Sequence, residues 1–505
     1  MTTILELLKH GDEAAPAIGA PDREPLSYGA LRSQVKETLV ELNKLGVGRN
    51  DAVAIVLPNG PEMAVAFIAI ASAATTAPLN PGYTAQEFEF YLQDLDSKLL
   101  VVQDGMETPA TGAAERLGIP VARLSFNPEQ PAGTFTLRGA AGQAREPGPA
   151  QGSDVALVLH TSGTTARPKI VPLSHDNVCA SAHNIASTLA LQAQDHCLNV
   201  MPLFHIHGLI AAVLGSLDAG ALVTCTPGFN ALKFFGWLET ANPSWYTAVP
   251  TMHQAILSRA GRNEAIIEQT KLRFIRSSSA SLPPPVMEQL EATFKAPVIE
   301  SYGMTEAAHQ MASNPLPPGA RKPGSVGLAA GPEIGIMDNE GRLLEAGEIG
   351  EIVVRGSNIT PGYQSNPQAN NKAFTNGWFR TGDQGVMDDE GYLRLTDRLK
   401  EIINRGGEKI SPREVDEALM RHPAVDQAVT FAVPHSKLGE DIAAAVVLKE
   451  GASADAQEIR AFVSERLANM KVPRKILLLD EIPKGATGKL QRIGLAKKLG
   501  LANTA

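Results

Sequence analysis

The chain has 505 residues, a formal net charge of −9, 44% apolar residues and 20% charged residues. That length exceeds one ordinary core and predicts two or more domains, while the negative balance argues against a nucleic-acid-binding protein. Its three cysteines, Cys179, Cys197 and Cys225, lack Cys-x-x-Cys spacing, so neither a disulfide framework nor a zinc site is indicated, and a reducing compartment fits.

Charge is unevenly placed. From Asp397 onward 18 Lys and Arg stand against 15 Asp and Glu, leaving a basic terminal segment beside an acidic body. Such a pair can hold an anionic ligand between them, although a chance imbalance gives the same count. The start, "MTTILELLKHGDEAAP", is not a signal peptide, no uncharged apolar run reaches spanning length, and the terminal "LANTA" is not a peroxisomal address. The expectation is a cytoplasmic protein without membrane or nucleic-acid partners.

In chain order, "LSYGALRSQVKETLVELNKLG" predicts a helix closed by Gly46. "DAVAIVLPNG" reads as a buried strand, "PEMAVAFIAIASAATTAPL" as helix then strand, and "SKLLVVQDG" as another strand. Such alternation implies a parallel sheet covered by helices. Residues 104–150, rich in Gly, Pro and Ala, read as a surface excursion. A second alternating block, about 153–310, contains "DVALVLHTSG", "HCLNVMPLF", "GALVTCTPG", "PSWYTAVP", "LRFIRSSSA" and "PVIESYGMTE". Several of its strands end in polar loops, where open α/β sheets collect ligands. From about 320 to 395 the texture turns to short strands with many glycines, a β-rich subdomain. "DRLKEIINRGGEKISPREVDEAL" opens a new unit, its helix starting after Ser411-Pro412.

The stretch "HTSGTTARPKIVPLSH" follows an apolar strand. It offers hydroxyls at Thr161, Ser162, Thr164 and Thr165, a close-approach glycine at Gly163 and a point charge at Lys169. These suit phosphate, but the Walker pattern is absent, and a Ser/Thr-rich turn is otherwise only a turn.

"TSGTTARPK" resembles the signature loop of the adenylate-forming superfamily, which includes acyl-CoA synthetases, coumarate–CoA ligases, luciferases and peptide-synthetase adenylation domains. Five further motifs follow in the family's order: "PLFHIHGL" at 202–209, "SYGMTEA" at 301–307, "GWFRTGD" at 377–383, "DRLKEIINRGGEKISP" at 397–412 and "PKGATGKLQR" at 483–492. The resemblance implies an α/β fold: a large N-terminal domain of parallel sheets plus a β-rich subdomain (1–396), a hinge (397–400) and a small, mobile α+β C-terminal domain (401–505). It also implies a reaction. A carboxylate attacks the α-phosphorus of ATP to give an acyl-adenylate and pyrophosphate, and the thiol of coenzyme A then displaces AMP. Both steps build charge that fixed cations and N–H donors stabilise, without an enzyme nucleophile.

Carried over residue by residue, the resemblance implies that 161–169, including Gly163 and Lys169, wraps the β- and γ-phosphates. Thr305 would lie near the α-phosphate, and Glu306 with Thr165 would hold Mg²⁺. Ser278, Ser279, Ala280, Ser301, Tyr302, Gly303 and Met304 would lie about the adenine. Asp383 would accept the ribose hydroxyls, with Arg398 reaching ribose or phosphate. Lys489 would bridge the carboxylate and α-phosphate during adenylation. Asp397 and Lys400 match the hinge, and Gly406 and Gly407 the path of the pantetheine thiol. Asn404 and Lys409 depart from the pattern of many coumarate-type relatives, which leaves their roles open.

For the acid, His205, His207, His253, His309, Arg276 and Ser278 cluster on loops near the expected acyl pocket. Each can equally be a packed structural residue. Together they point to a small, polar, doubly anionic acid, held by an imidazolium or a row of hydroxyls. "TAPLNPGYTAQEFEFYLQD", "WYTAVPTMHQ", "LRFIRSSSASL" and "EKISPREVDEAL" are similar to the plant and fungal oxalate–CoA ligases, along roughly residues 25–495. Oxalate is therefore the lead substrate. The alternatives are another short, medium-chain or aryl acid, or transfer of the acyl-adenylate to a carrier protein. Ala166 and Ile170 stand where family members commonly carry Gly, so Ile170 needs a space to fill. A monomer or homodimer is expected.

Overall fold

The computed structural model describes residues 2–161, 168–484 and 490–501. Two largely parallel sheets form the body. The seven-stranded sheet runs Thr136–Arg138, Val121–Ser125, Leu99–Gln103, Ala52–Val56, Thr75–Pro78, Val155–Thr161, Lys169–Ser174. The nine-stranded sheet runs Leu328–Ala329, His309–Ser313, Val298–Met304, Phe274–Ser277, Trp245–Ala248, His196–Asn199, Leu222–Cys225, Pro16–Ala20, Arg23–Ser27. Strands such as Ala52–Val56 and Leu99–Gln103 are nearly continuous apolar runs, as expected of strands covered on both faces. The helix Pro61–Ala71 is buried along nearly its whole length because it packs against both sheets at once. An all-round apolar helix has no other stable place in water.

The helix Tyr28–Lys44 starts where the Ser27 hydroxyl accepts the Ala30 N–H, and the chain leaves it through Gly46 at φ +83°. Ile170, in place of the usual glycine, fills apolar space beside Val158, Ala77 and Leu79. Residues 104–150 are more than an excursion. They supply the helix Pro109–Leu117 and the strands Val121–Ser125 and Thr136–Arg138, which complete one edge of the seven-stranded sheet. High Gly, Pro and Ala content hid them, because small residues can pack an edge without a strong apolar signal.

The β-rich subdomain is antiparallel: Glu333–Met337, Ile349–Arg355, Phe374–Thr375, Trp378–Met387 and Leu393–Arg398. Beyond it lies a third unit. Its sheet comprises Glu408–Ile410, Ile403–Arg405, Gly439–Leu448, Val425–His435 and Lys475–Leu478, with the helices Pro412–Met420 and Ala456–Ser464 packed on its core. Ser411 caps the first of these helices, with Pro412 in its first turn. This unit touches the body where the Gln254 amide donates to the Asp426 carbonyl at 2.7 Å and where Met420 packs on the cluster around Tyr246. Among the described residues no helix is long and apolar enough to cross a membrane.

His175 fastens the N-terminus. Its Nδ1 accepts the Ile4 N–H at 3.2 Å, and its Nε2–H donates to the Ala71 carbonyl at 2.9 Å. The ring is fully buried, and burial pushes its pKa down to about 4. The unfolded imidazole takes a proton near pH ~6.5, while the folded one stays neutral. Its contribution is thus complete above that pH and is lost as pH falls toward 4. In urea unfolding, the stability difference between the native chain and His175→Gln should shrink across this interval by up to about 1.4 kcal/mol per pH unit. A difference that does not vary between pH 7.5 and 5 would show that the ring is not held neutral.

Candidate active site

The two sheets, the β-rich subdomain and the residues preceding the C-terminal sheet meet at one group of side chains. Its backbone origin is the strand Val298–Met304, which pairs antiparallel with His309–Ser313 through an irregular register at Tyr302/Gly303. A Cβ placed on Gly303 would sit 1.7 Å from the His309 carbonyl oxygen. Only glycine permits that approach. His309 itself lies at φ +101°, so the turn 305–308 folds back tightly over the strand end. Tyr302 is directed to one side of this junction and His309 to the other.

On the first side, the Tyr302 hydroxyl donates to Asp383 Oδ2 at 2.6 Å, and Arg398 Nε donates to Asp383 Oδ1 at 3.1 Å. Asp383 is buried, whereas the Arg398 side chain is 56% exposed. Gly382 at φ +75° turns the strand so that the carboxylate faces Tyr302, and the Asp383 N–H donates to the Thr381 hydroxyl. Burial and the adjacent carboxylate push the Tyr302 phenol well above its usual range, so it remains a donor. Asp383 raises the pKa of Arg398 in turn.

Next to this pair, Glu306 is buried and its Oε1 accepts the Tyr363 hydroxyl at 2.8 Å. Lys169 Nζ stands 4.1 Å from the centre of the Tyr363 ring. Burial raises the Glu306 pKa, opposed by the charges of Lys169 and Arg398. Burial lowers that of Lys169, and the nearby charge of Lys400 lowers it further. Three cations, Lys169, Arg398 and Lys400, therefore stand against two carboxylates, Glu306 and Asp383. That surplus suits a polyphosphate, and the Glu306 carboxylate suits Mg²⁺.

On the second side lies a buried network. Strand register sets Thr247 beside Arg276 on one face of the nine-stranded sheet. Arg276 is fully buried; its Nη1 donates to His207 Nε2 and its Nη2 to Gln310 Oε1, both at 3.3 Å. The Thr247 hydroxyl is 2.6 Å from the same His207 nitrogen, and His207 Nδ1 is 3.0 Å from Ser279 Oγ. The His207 and His309 rings are 5.1 Å apart. His207 opens the π-helix His207–Leu214, and wide turns of this type recur at functional sites.

The remaining candidates fall as follows. Half-buried His205 accepts the His207 N–H at Nδ1. Ser278 is buried and spends its hydroxyl on the Ser301 carbonyl at 3.0 Å, tying two strands, and Ala280 is exposed beyond it. Thr305 begins the short turn after Met304, and Thr161 pairs with Lys169. Gly406 and Gly407 take φ +61° and +97°, which glycine favours. Asp397 is buried before Lys400, and burial lifts its carboxyl to about 6. His253 is a correction. It is bonded to Tyr246, which points to the opposite face of the sheet from Thr247 and Arg276, and burial pushes it down to about 3. It is a core histidine, not a member of the network. Ser162, Gly163, Thr164, Thr165 and Lys489 lie outside the described residues. Tyr363, Thr247 and Gln310 escaped the sequence reading, because each sits in an ordinary apolar or loop context.

Gly303→Ala should destabilise the chain by about 1–3 kcal/mol through overpacking, read as a fall in Tm. Gly236→Ala, in a helix with nothing within 4 Å of the new Cβ, is the control and should not lower it. Equal Tm values for the two variants would contradict the close approach.

Comparison with known proteins agrees with this geometry. The AMP-binding enzyme family model matches residues 8–364, and the AMP-binding enzyme C-terminal domain model matches 414–489. An oxalate–CoA ligase of Arabidopsis thaliana is 45% identical over 490 residues, covering 94% of this chain and 95% of its own. The oxalate–CoA ligase of Saccharomyces cerevisiae is 43% identical, covering 89% and 87%. Among solved structures, ATP-bound MatB from Rhodopseudomonas palustris superposes with a TM-score of 0.87 at 27% identity, covering 99% of this chain and 98% of that one. The chain belongs to the AMP-binding enzyme family, in its acyl-CoA synthetase branch.

Proposed function

We propose that this synthetase is an oxalate–CoA ligase. The observation that carries the reading is the fully buried Arg276, whose guanidinium donates to two neutral acceptors, His207 and Gln310. A guanidinium buried without a carboxylate is costly unless a ligand supplies the anion. The oxalate–CoA ligase relatives support the same acid. Activation consumes one carboxylate, and the second remains ionised. A short dianion can span from the reacting phosphorus to this network, whereas a fatty or aryl acid would set apolar atoms against it.

In this reading the carboxylate oxygen forms a bond to the α-phosphorus and the bond to pyrophosphate breaks. The thiolate of coenzyme A then attacks the acyl carbon and AMP leaves. Asp383, held by Tyr302 and Arg398, accepts the ribose hydroxyls bidentately. Lys169, with Thr161, Ser162, Gly163, Thr164 and Thr165, holds the outer phosphates. Thr305 lies at the α-phosphate. Glu306, oriented by the Tyr363 hydroxyl, and Thr165 would hold Mg²⁺, which would supply neutralisation of phosphate charge. Ser278, Ser279, Ala280, Ser301, Tyr302, Gly303 and Met304 flank the adenine. His205, next to His207, closes the acyl end. Residues 397–400 are the hinge between 1–396 and 401–505. Rotation there exchanges Lys489 for the Gly406–Gly407 turn along the thiol path. The enzyme is read as cytoplasmic, a monomer or homodimer.

A panel of oxalate, malonate, acetate, octanoate and coumarate, scored by AMP release with and without CoA, should give oxalate the highest kcat/KM; octanoate or coumarate in first place would reject the assignment. Lys489→Ala should slow adenylate formation on the order of 10²–10³-fold while sparing much of thioester formation from preformed adenylate. Equal losses in the two half-reactions would rule out the two-posture scheme.

A further inference from the structure

The hydrogen bonds around His207 have one consistent proton assignment. A guanidinium N–H can only donate, so His207 Nε2, which receives Arg276 Nη1, carries no proton. The Thr247 hydroxyl, 2.6 Å from that nitrogen, must therefore donate to it as well. A neutral imidazole then bears its proton on Nδ1, which donates to Ser279 Oγ at 3.0 Å. The imidazolium alternative for holding an acid is closed to His207, because its Nε2 proton would then face the Arg276 N–H, which can only donate. The other end of the chain is fixed too: Gln310 Nε2 donates to Ala330 O and Thr188 Oγ1, both at 3.2 Å, leaving only its oxygen for Arg276.

We infer that Arg276 and His207 form a relay that locks the Ser279 hydroxyl as an outward hydrogen-bond donor for the non-reacting carboxylate of the acid. With its lone pair occupied by His207 Nδ1–H, Ser279 has its own proton left to give, and a carboxylate only accepts. Ser279 lies at φ +72°, between buried Ser278 and exposed Ala280, just past the carboxyl end of the strand Phe274–Ser277. The cation at the far end of the relay polarises each successive bond toward the ligand. Arg276 and His207 are thus positioning residues for specificity, and Ser279 is the group that meets the acid. A neutral acid of equal size gains nothing from this donor array, so the relay discriminates by charge. Its account of ligand choice rests on the oxalate reading; its proton assignment does not.

Nitrogen-15 NMR of the free enzyme tests the assignment without mutation: the native His207 should show a protonated Nδ1 and an unprotonated Nε2. A protonated Nε2 would overturn the relay. For ligand choice, KM for oxalate, malonate and acetate is compared in native enzyme, Ser279→Ala and Arg276→Met. Loss of a hydrogen bond to a charged group should raise KM for oxalate and malonate about 10–100-fold in either variant, with KM for acetate little changed. The double variant should cost no more than the worse single one, as members of one chain do. Should Arg276→Met fail to fold, His207→Asn, which is smaller and keeps an amide donor, replaces it in the cycle. Equal KM losses on acetate and oxalate, or additive losses, would overturn the relay. If oxalate loses the panel while the NMR assignment holds, the substrate reading fails and the relay stands.

Discussion

The site depends on one contact that excludes a side chain: the His309 carbonyl against Gly303. Because that oxygen occupies the space of a Cβ, the strand Val298–Met304 and the turn after it can double back within a few residues. Tyr302 and Glu306 are thereby held on the side of Asp383 and Tyr363, and His309 and Gln310 on the side of Arg276. A side chain at 303 would push the Tyr302–Asp383–Arg398 cluster away from the buried network, even with every other residue intact. Backbone proximity, more than any ion pair, sets the distance between the two halves of the chemistry.

Charge then divides the site. On the side of Asp383, cations outnumber carboxylates, and the carboxylates present are spoken for: Asp383 by Tyr302 and Arg398, Glu306 by Tyr363. On the other side the cation, Arg276, is deep, with hydroxyls and imidazoles around it. The first arrangement fits phosphates that come and go in water. The second fits a small anion that must be told from its neutral analogue, since a buried donor left unpaired is costly.

Much of this was legible in the sequence because motifs with fixed spacing carry backbone demands. "SYGMTEA" contains Gly303, "GWFRTGD" contains the turn glycine before Asp383, and Ser411-Pro412 starts a helix as capping chemistry requires. Apolar runs such as "AVAIV" announced buried strands. Long-range partners were not legible. Thr247 and Gln310 matter only because parallel register and a bulged pair bring them to Arg276, and no local pattern encodes that. His253 was misjudged for the same reason: proximity in sequence to Thr247 says nothing about which face of the sheet a following helix addresses. The strands within 104–150 were missed because weak side chains suffice at a sheet edge.

The cluster of Tyr302, Asp383 and Arg398 has a consequence for assembly. Tyr302 belongs to the nine-stranded sheet, Asp383 to the β-rich subdomain, and Arg398 to the strand that leads into the C-terminal unit. Lys169 comes from the seven-stranded sheet. No folding unit owns the site. A chain with one layer unfolded or displaced would therefore present only part of this group of side chains, so its geometry depends on all the layers being folded together.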